Sequence, residues 1–229
     1  MPALLVSVRT ADEARDAWNA GARIIDIKDP ARGPLGMADV SVWDAVRASI
    51  PPHATISAAL GELPQCESLP VPNEEHWNRI AWRKVGLAGM AESPHWQARL
   101  ETLHKSWGPR PGWIAVAYLD AAAAHAPTPQ AVIEFLLASQ CGGILFDTWS
   151  KQTQSPLDNT QAWRERIQHI RAAGFLVALA GGLCCDKIRR LKPLEPDLFA
   201  VRGAACFNGD RLAPIDPVRV ADLVAAASA

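Results

Sequence analysis

Several features that a chain of 229 residues often carries are scarce or missing here. There is no CxxC pair, and the five cysteines (Cys66, Cys141, Cys184, Cys185, Cys206) are odd in number with two adjacent. That pattern argues against a disulfide framework and against a thiolate zinc site, and leaves reduced cytosolic thiols as the plain reading. The six histidines are scattered, with no HExxH and no closely spaced pair, so no metal is expected. The formal charge is only −1, mixed in sign along the chain with no basic stripe, so no nucleic-acid partner is expected. No apolar run approaches the roughly 20 residues of a membrane span. The opening stretch Met1–Val8 has no basic leader and turns polar at Arg9, so it reads as a strand rather than a signal peptide. The expectation is a cytoplasmic protein that makes no use of a membrane. No GxGxxG follows the first apolar run, which removes the dinucleotide fingerprint. No linker or low-complexity stretch divides the chain, so residues 1–229 read as a single domain.

What is present is regular. Short apolar runs, read as strands, fall at Ala3–Val8, Ile24–Ile27, Thr55–Ala59, Ile80–Val85, Trp113–Leu119, Gly143–Phe146, Phe175–Ala180 and Leu198–Val201. Amphipathic segments lie between them, each behind a capping residue: Asp12–Asn19 after Thr10, Val40–Ala48 after Asp39, Pro94–Ser106 after Ser93. Pro129–Ser139 follows Thr128, Gln161–Ala172 follows Thr160, and Pro217–Ala227 follows Asp216. Shorter helical pieces are expected at Glu74–Asn78 and Asp186–Leu191, and Pro64–Pro72 reads as a loop or lid. Eight strands alternating with helices imply parallel pairing and right-handed crossovers. The fold class is therefore α/β, a single (β/α)8 TIM barrel, whose usual length is about 250 residues; a doubly wound open sheet is the competing arrangement. The nine tryptophans are expected to pack between barrel and helices. Apolar side chains on outer helices would permit a homo-oligomer, though no heptad pattern asks for one.

In such a barrel the carboxyl ends of the strands face the active site. Strand two ends in Asp26-Ile27-Lys28, with Asp26 and Lys28 on one face by the two-residue period. Strand four contributes Lys84, strand five Asp120, and strand six Asp147 with Lys151 just beyond. The bland reading makes each Lys–Asp neighbour a surface ion pair of little consequence. Three lysines at three strand ends, each beside strongly apolar sequence, point instead to one ringed mouth. Clustered ammonium groups and burial together favour a free amine, and a free amine attacks carbonyls. The Gly181-Gly182 turn after strand seven and Arg202-Gly203 after strand eight stand where barrel enzymes hold phosphate, with Arg202 expected to add charge-assisted bonds. Imine chemistry on a phosphorylated, sugar-like substrate follows. Ser57 is a candidate pocket residue, Ala31–Gly36 reads as a loop over the mouth, Cys206 reads as a small buried residue, and Asn208-Gly209-Asp210-Arg211 as a turn.

The run Asp26-Ile27-Lys28-Asp29-Pro30 with Gly33-Pro34-Leu35-Gly36 resembles the D-V-K-N-P-x-x-G-x-L-G signature of (5-formylfuran-3-yl)methyl phosphate synthases of methanofuran-type cofactor biosynthesis. Lys84-Val85-Gly86-Leu87, Tyr118 with Asp120, Asp147 with Lys151, Ala178–Gly181 and Val201–Ala204 are similar to further blocks of that family in the same order. Departures are Asp29 for the usual Asn, Gly182 where Ser is expected, and Phe207-Asn208 in a glycine-richer tail. The resemblance spans nearly the whole chain. It implies a TIM barrel, a carbon–oxygen lyase that joins two molecules of glyceraldehyde 3-phosphate with loss of one phosphate and water, and no cofactor. It also implies Lys28 as the Schiff-base lysine and Lys84, made neutral by cationic surroundings, as proton acceptor. Asp26, Asp147 and Lys151 would support them. A class I aldolase or ketose–aldose isomerase on a phosphorylated sugar is the rival enzyme, and a barrel kept for binding alone is the rival outside catalysis.

Overall fold

Near-continuous apolar strands must be covered on both faces, and this chain covers them by closing the sheet on itself. In the computed structural model, which describes residues 1–108, 112–150, 157 and 160–228, eight parallel strands form a closed barrel in sequence order, β1 pairing with β8. The strands are β1 Ala3–Val8, β2 Ile24–Ile27, β3 Thr55–Glu62, β4 Ile80–Gly86, β5 Trp113–Tyr118, β6 Gly143–Asp147, β7 Leu176–Leu179 and β8 Leu198–Val201. The helices are α1 Ala11–Asn19, α2 Val40–Ser49, α3 Leu63–Cys66, α4 Trp96–Ser106, α5 Ala121–Ala124, α6 Pro129–Ala138, α7 Thr160–Ala172, α8 Cys185–Leu191 and α9 Pro217–Ser228. None is long and apolar enough to cross a membrane among the described residues.

Alternation along the strands sorts the core into two shells. Leu5, Ile24, Ala59, Ile114, Val116, Leu145, Ala178 and Leu198 fill the barrel. Val6, Ile25, Ile56, Phe146 and Phe199 face outward beneath the helices, with Trp43, Trp77, Trp96, Trp107, Trp113 and Trp163 wedged among them. Most tryptophans thus sit between barrel and helices, as expected.

Capping behaves as the side chains dictate. The Thr10 and Thr128 hydroxyls accept from the backbone N–H groups of Glu13 and Ala131, both at 3.2 Å, and start α1 and α6. Ser93 does not start α4: its hydroxyl accepts from Arg99 Nη1 at 3.2 Å, and the helix begins at Trp96. Strand β3 also runs three residues further than its apolar pattern. It passes through Gly61 at φ +99° and a register shift, which sets Glu62 opposite Gly86 at the carboxyl end of β4.

Candidate active site

Parallel register brings the polar residues of adjacent strands into rows. Ser7 pairs with Asp26, Asp26 with Ser57, Ala59 with Lys84, and Tyr118 with Asp147. At the carboxyl ends of the strands these rows open into a cavity of about 600 Å³, inside the roughly 300–1,000 Å³ range of small-molecule sites. Ser7, Asp26, Lys28, Lys84 and Asp147 line its floor, and the turns after β7 and β8 line its wall.

The floor is built around one carboxylate. Asp26 is 2% exposed and Lys84 4%. Lys84 Nζ makes a short ion pair with Asp26 Oδ1, and Ser7 Oγ donates to Oδ2 at 2.9 Å. Burial by itself pushes the Asp26 carboxyl up. The charges of Lys84 and Lys28, with the hydrogen bonds from Lys84 and Ser7, outweigh it and hold the group below the usual carboxylate range. The sequence pointed to cationic surroundings for Lys84. Its immediate partner is instead a carboxylate, because Asp26 on β2 faces the same interior as Lys84 on β4.

Lys28 is half-buried at the end of β2, and its Nζ donates to the Pro34 carbonyl at 3.2 Å. That carbonyl belongs to the loop carrying Gly33-Pro34-Leu35-Gly36. Gly36 is obligatory there: a Cβ would stand 2.2 Å from the Asp29 main-chain oxygen. Asp29 itself accepts from Ala31 N at 3.0 Å and so shapes the loop's first turn.

On the opposite side of the mouth the character is acidic. Asp147 is buried and its Oδ1 accepts from Thr148 N at 2.7 Å. Two further groups lie close to Asp147 but outside the cavity lining, and the sequence did not single them out as a pair. Tyr118 OH donates to Glu62 Oε1 at 2.6 Å, while Ala88 N donates to Oε2 at 2.8 Å. Burial raises the Glu62 carboxyl, and the nearby Asp147 charge adds to this against those two hydrogen bonds. The Tyr118 hydroxyl is pushed well up by burial and by the charges of Glu62, Asp147 and Asp120. The signal for Glu62 was weak, because a Gly-Glu pair after an apolar run reads as a strand end.

Several expected site residues sit elsewhere. Asp120 accepts from Trp149 N at 2.7 Å and Ser150 N at 2.8 Å, so its carboxylate fastens the loop after β6 and is outside the cavity lining. Ser57 lies fully buried below the cavity rather than in its wall. Lys151 falls outside the described residues. Gly181, Gly182 and Gly203 all line the cavity; Gly181 and Gly182 have φ +94° and +62°. A Cβ at Gly181 would meet Thr148 Cγ2 at 2.9 Å, so only glycine fits the turn without a shift.

Arg202 lines the cavity as expected, but its hydrogen bonds do not serve the cavity. All five of its N–H donors are consumed within the protein. Nε donates to Arg211 O (2.9 Å), Nη1 to Ser7 O (3.1 Å) and Glu13 Oε2 (2.5 Å), and Nη2 to Glu13 Oε1 (3.2 Å) and Ala213 O (2.9 Å). Its guanidinium is a buried fastening between α1, β1 and the loop after β8, with nothing left to offer an anion. Cys206 behaves as a core residue: it is buried, donates to Arg202 O at 3.2 Å, and burial pushes its thiol up. Among the described residues no three of His, Cys, Asp and Glu gather as a metal-holding group.

Comparison with known proteins places this geometry in context. The profile of a family described as 4-HFC-P synthase matches residues 4–224. A (5-formylfuran-3-yl)methyl phosphate synthase of Methanococcus aeolicus is 31% identical over 219 residues, covering 91% of this chain and 92% of the relative. One from Methanopyrus kandleri is 29% identical over 220 residues, covering 92% of each. Among solved structures, phosphoribosyl anthranilate isomerase of Thermotoga maritima superposes with a TM-score of 0.65 at 13% identity, covering 99% of this chain and 98% of that one. That likeness speaks to the barrel alone.

Proposed function

The chain belongs to the 4-HFC-P synthase family, and from that premise we propose that it is a (5-formylfuran-3-yl)methyl phosphate synthase acting as a single barrel domain. In this reading it is a lyase that joins two molecules of glyceraldehyde 3-phosphate. Formation of the furan ring releases one phosphate and two waters. The observation that carries the reading is a pair of lysines, Lys28 and Lys84, on the floor of one cavity with Asp26, beneath glycine turns after β7 and β8.

The steps follow from the residue types. Lys28 gives its ammonium proton to water, and the amine so formed adds to the aldehyde carbon of the first triose. Lys84, entering as the ammonium partner of Asp26, gives a proton to the departing hydroxyl, which leaves as water with formation of the iminium. Lys84 is thereby left as an amine, and it takes the proton from the carbon next to the iminium. The electron pair of that C–H bond becomes the enamine, which attacks the aldehyde of the second triose in an aldol step. Asp26 throughout offsets positive charge at the floor. Asp147, across the cavity, serves the later proton transfers of dehydration, ring closure and phosphate loss. The turns at Gly181-Gly182 and Gly203 offer backbone N–H groups to the retained phosphate. No organic cofactor or metal enters these steps.

Incubation with glyceraldehyde 3-phosphate alone tests the reaction: furan absorbance should rise in step with released phosphate. Dihydroxyacetone phosphate or a hexose bisphosphate as the product would favour an isomerase or an aldolase instead. Borohydride added with substrate should mark Lys28. Lys28→Arg should be inactive and unmarked, because a guanidinium stays protonated; substantial turnover by that variant would refute the nucleophile.

A further inference from the structure

The cavity calls for a cation that can reach a phosphate, and the guanidinium expected to supply one is spent on the protein itself. We propose that Arg211 is the side chain that binds the substrate's phosphate, and that Arg202 acts through it as a positioning residue. The inference deepens the proposed function and rests on its reading of the cavity as a site for phosphorylated substrate.

Arg211 belongs to a segment that looks like an ordinary turn, yet the fold lays it along the cavity wall. A Cβ on Gly203 would stand 3.9 Å from Arg211 Cβ, so the arginine stem rises directly beside the glycine turn after β8. Its main-chain carbonyl is held by Arg202 Nε at 2.9 Å, and Arg202 is anchored in turn by Glu13. From there the side chain crosses the mouth, and Nη2 donates to Gly33 O at 3.0 Å. Gly33 immediately precedes Pro34, whose carbonyl receives Lys28 Nζ. One guanidinium therefore ties the loop after β8 to the loop that sits on the reactive amine. A single bond to a carbonyl leaves most of a five-donor fork unspent on a side chain that lines the cavity, and such a fork matches a phosphate's oxygens.

The other cations nearby are less suited. Arg219 on α9 also lines the cavity, but its side chain is 45% exposed and leans toward Asp216 at 3.5 Å. Lys187 Nζ is directed to Gly182 O at 3.1 Å and lies outside the lining. The carboxylate of Asp210, next to Arg211 in the chain, accepts from Leu212 N at 2.9 Å.

Inorganic phosphate titrated calorimetrically into the full chain tests the site without any turnover. Arg211→Met should weaken phosphate binding by about 10- to 100-fold, the loss expected for one or two charge-assisted hydrogen bonds. KM for glyceraldehyde 3-phosphate should rise by a similar factor, with kcat changed less than about threefold and borohydride marking of Lys28 retained at saturating substrate. Arg202→Lys should raise KM without lowering kcat, and should add little to Arg211→Met because both act on one contact. If the methionine variant does not fold, Arg211→Gln carries the same expectation. Equal phosphate affinity in wild type and variant, or no phosphate binding by wild type, overturns the assignment of Arg211. Additive KM effects overturn the positioning role of Arg202. Phosphate binding lost with Arg211 in a protein that makes no furan would leave this site standing and remove the proposed reaction.

Discussion

Removing the amine from Lys84 while keeping its stem is the sharpest test of how the floor is held together. Lys84→Met leaves Asp26 at 2% exposure without the cation that contacts it. Deleting one partner of a buried ion pair costs about 3–5 kcal/mol, chiefly because the remaining charge stays desolvated. Ser7 Oγ still donates at 2.9 Å and Lys28 still contributes charge, so the lower end, about 3 kcal/mol, is expected. For a domain of this size that is a fall in Tm of roughly 6–12 °C. Its pH dependence is specific. In wild type the Asp26 carboxyl is held below its ordinary 3.8, so its contribution is present above that value and is lost only as pH falls through the still lower folded one. In the variant, burial dominates and the carboxyl rises. Its unfavourable charge is then relieved as pH falls, and the stability gap narrows on acidification. Urea melts of both proteins between about pH 4 and pH 7 measure this. A gap under about 1 kcal/mol at neutral pH, or one independent of pH, would refute the account of a charge-locked floor.

Two other perturbations follow from buried groups. Arg202→Met strands Glu13 and three main-chain carbonyls that Arg202 now satisfies, so a loss of about 3–5 kcal/mol is expected in denaturant melts; a loss below about 1 kcal/mol would mean the network is not what joins α1 to β8. Glu62→Gln should become progressively more stable relative to wild type as pH rises above about 4.5. The native carboxyl is raised by burial, so its contribution is complete below the unfolded value and lost as pH climbs through the folded one. Tm measured against pH should show the curves diverging on the alkaline side, and parallel curves would contradict that environment for Glu62.

Much of the barrel could be read directly from local pattern, because parallel strands buried on both faces are nearly pure apolar runs. Ala3–Val8, Ile24–Ile27 and Leu198–Val201 end where their hydrophobicity ends. Period two alone also directed Asp26 and Lys28 to one face, and glycine pairs after β7 and β8 marked the turns. Boundaries set by interactions distant in sequence were not legible. Glu62 reaches the carboxyl end of β4, opposite Gly86, through a shift in the β3–β4 register.

The partners of charged side chains belong to the tertiary structure alone. Nothing near Arg202 in the chain announces that Glu13, 189 positions away, would claim its guanidinium. Nor does the local sequence reveal that Asp120 would fasten the loop after β6, or that Arg211 would cross to Gly33. A backbone pattern is written in consecutive residues, since each φ/ψ choice and each alternation of face is local. A hydrogen-bond donor is spent on whichever acceptor closure of the barrel brings within about 3 Å, and that depends on every strand at once.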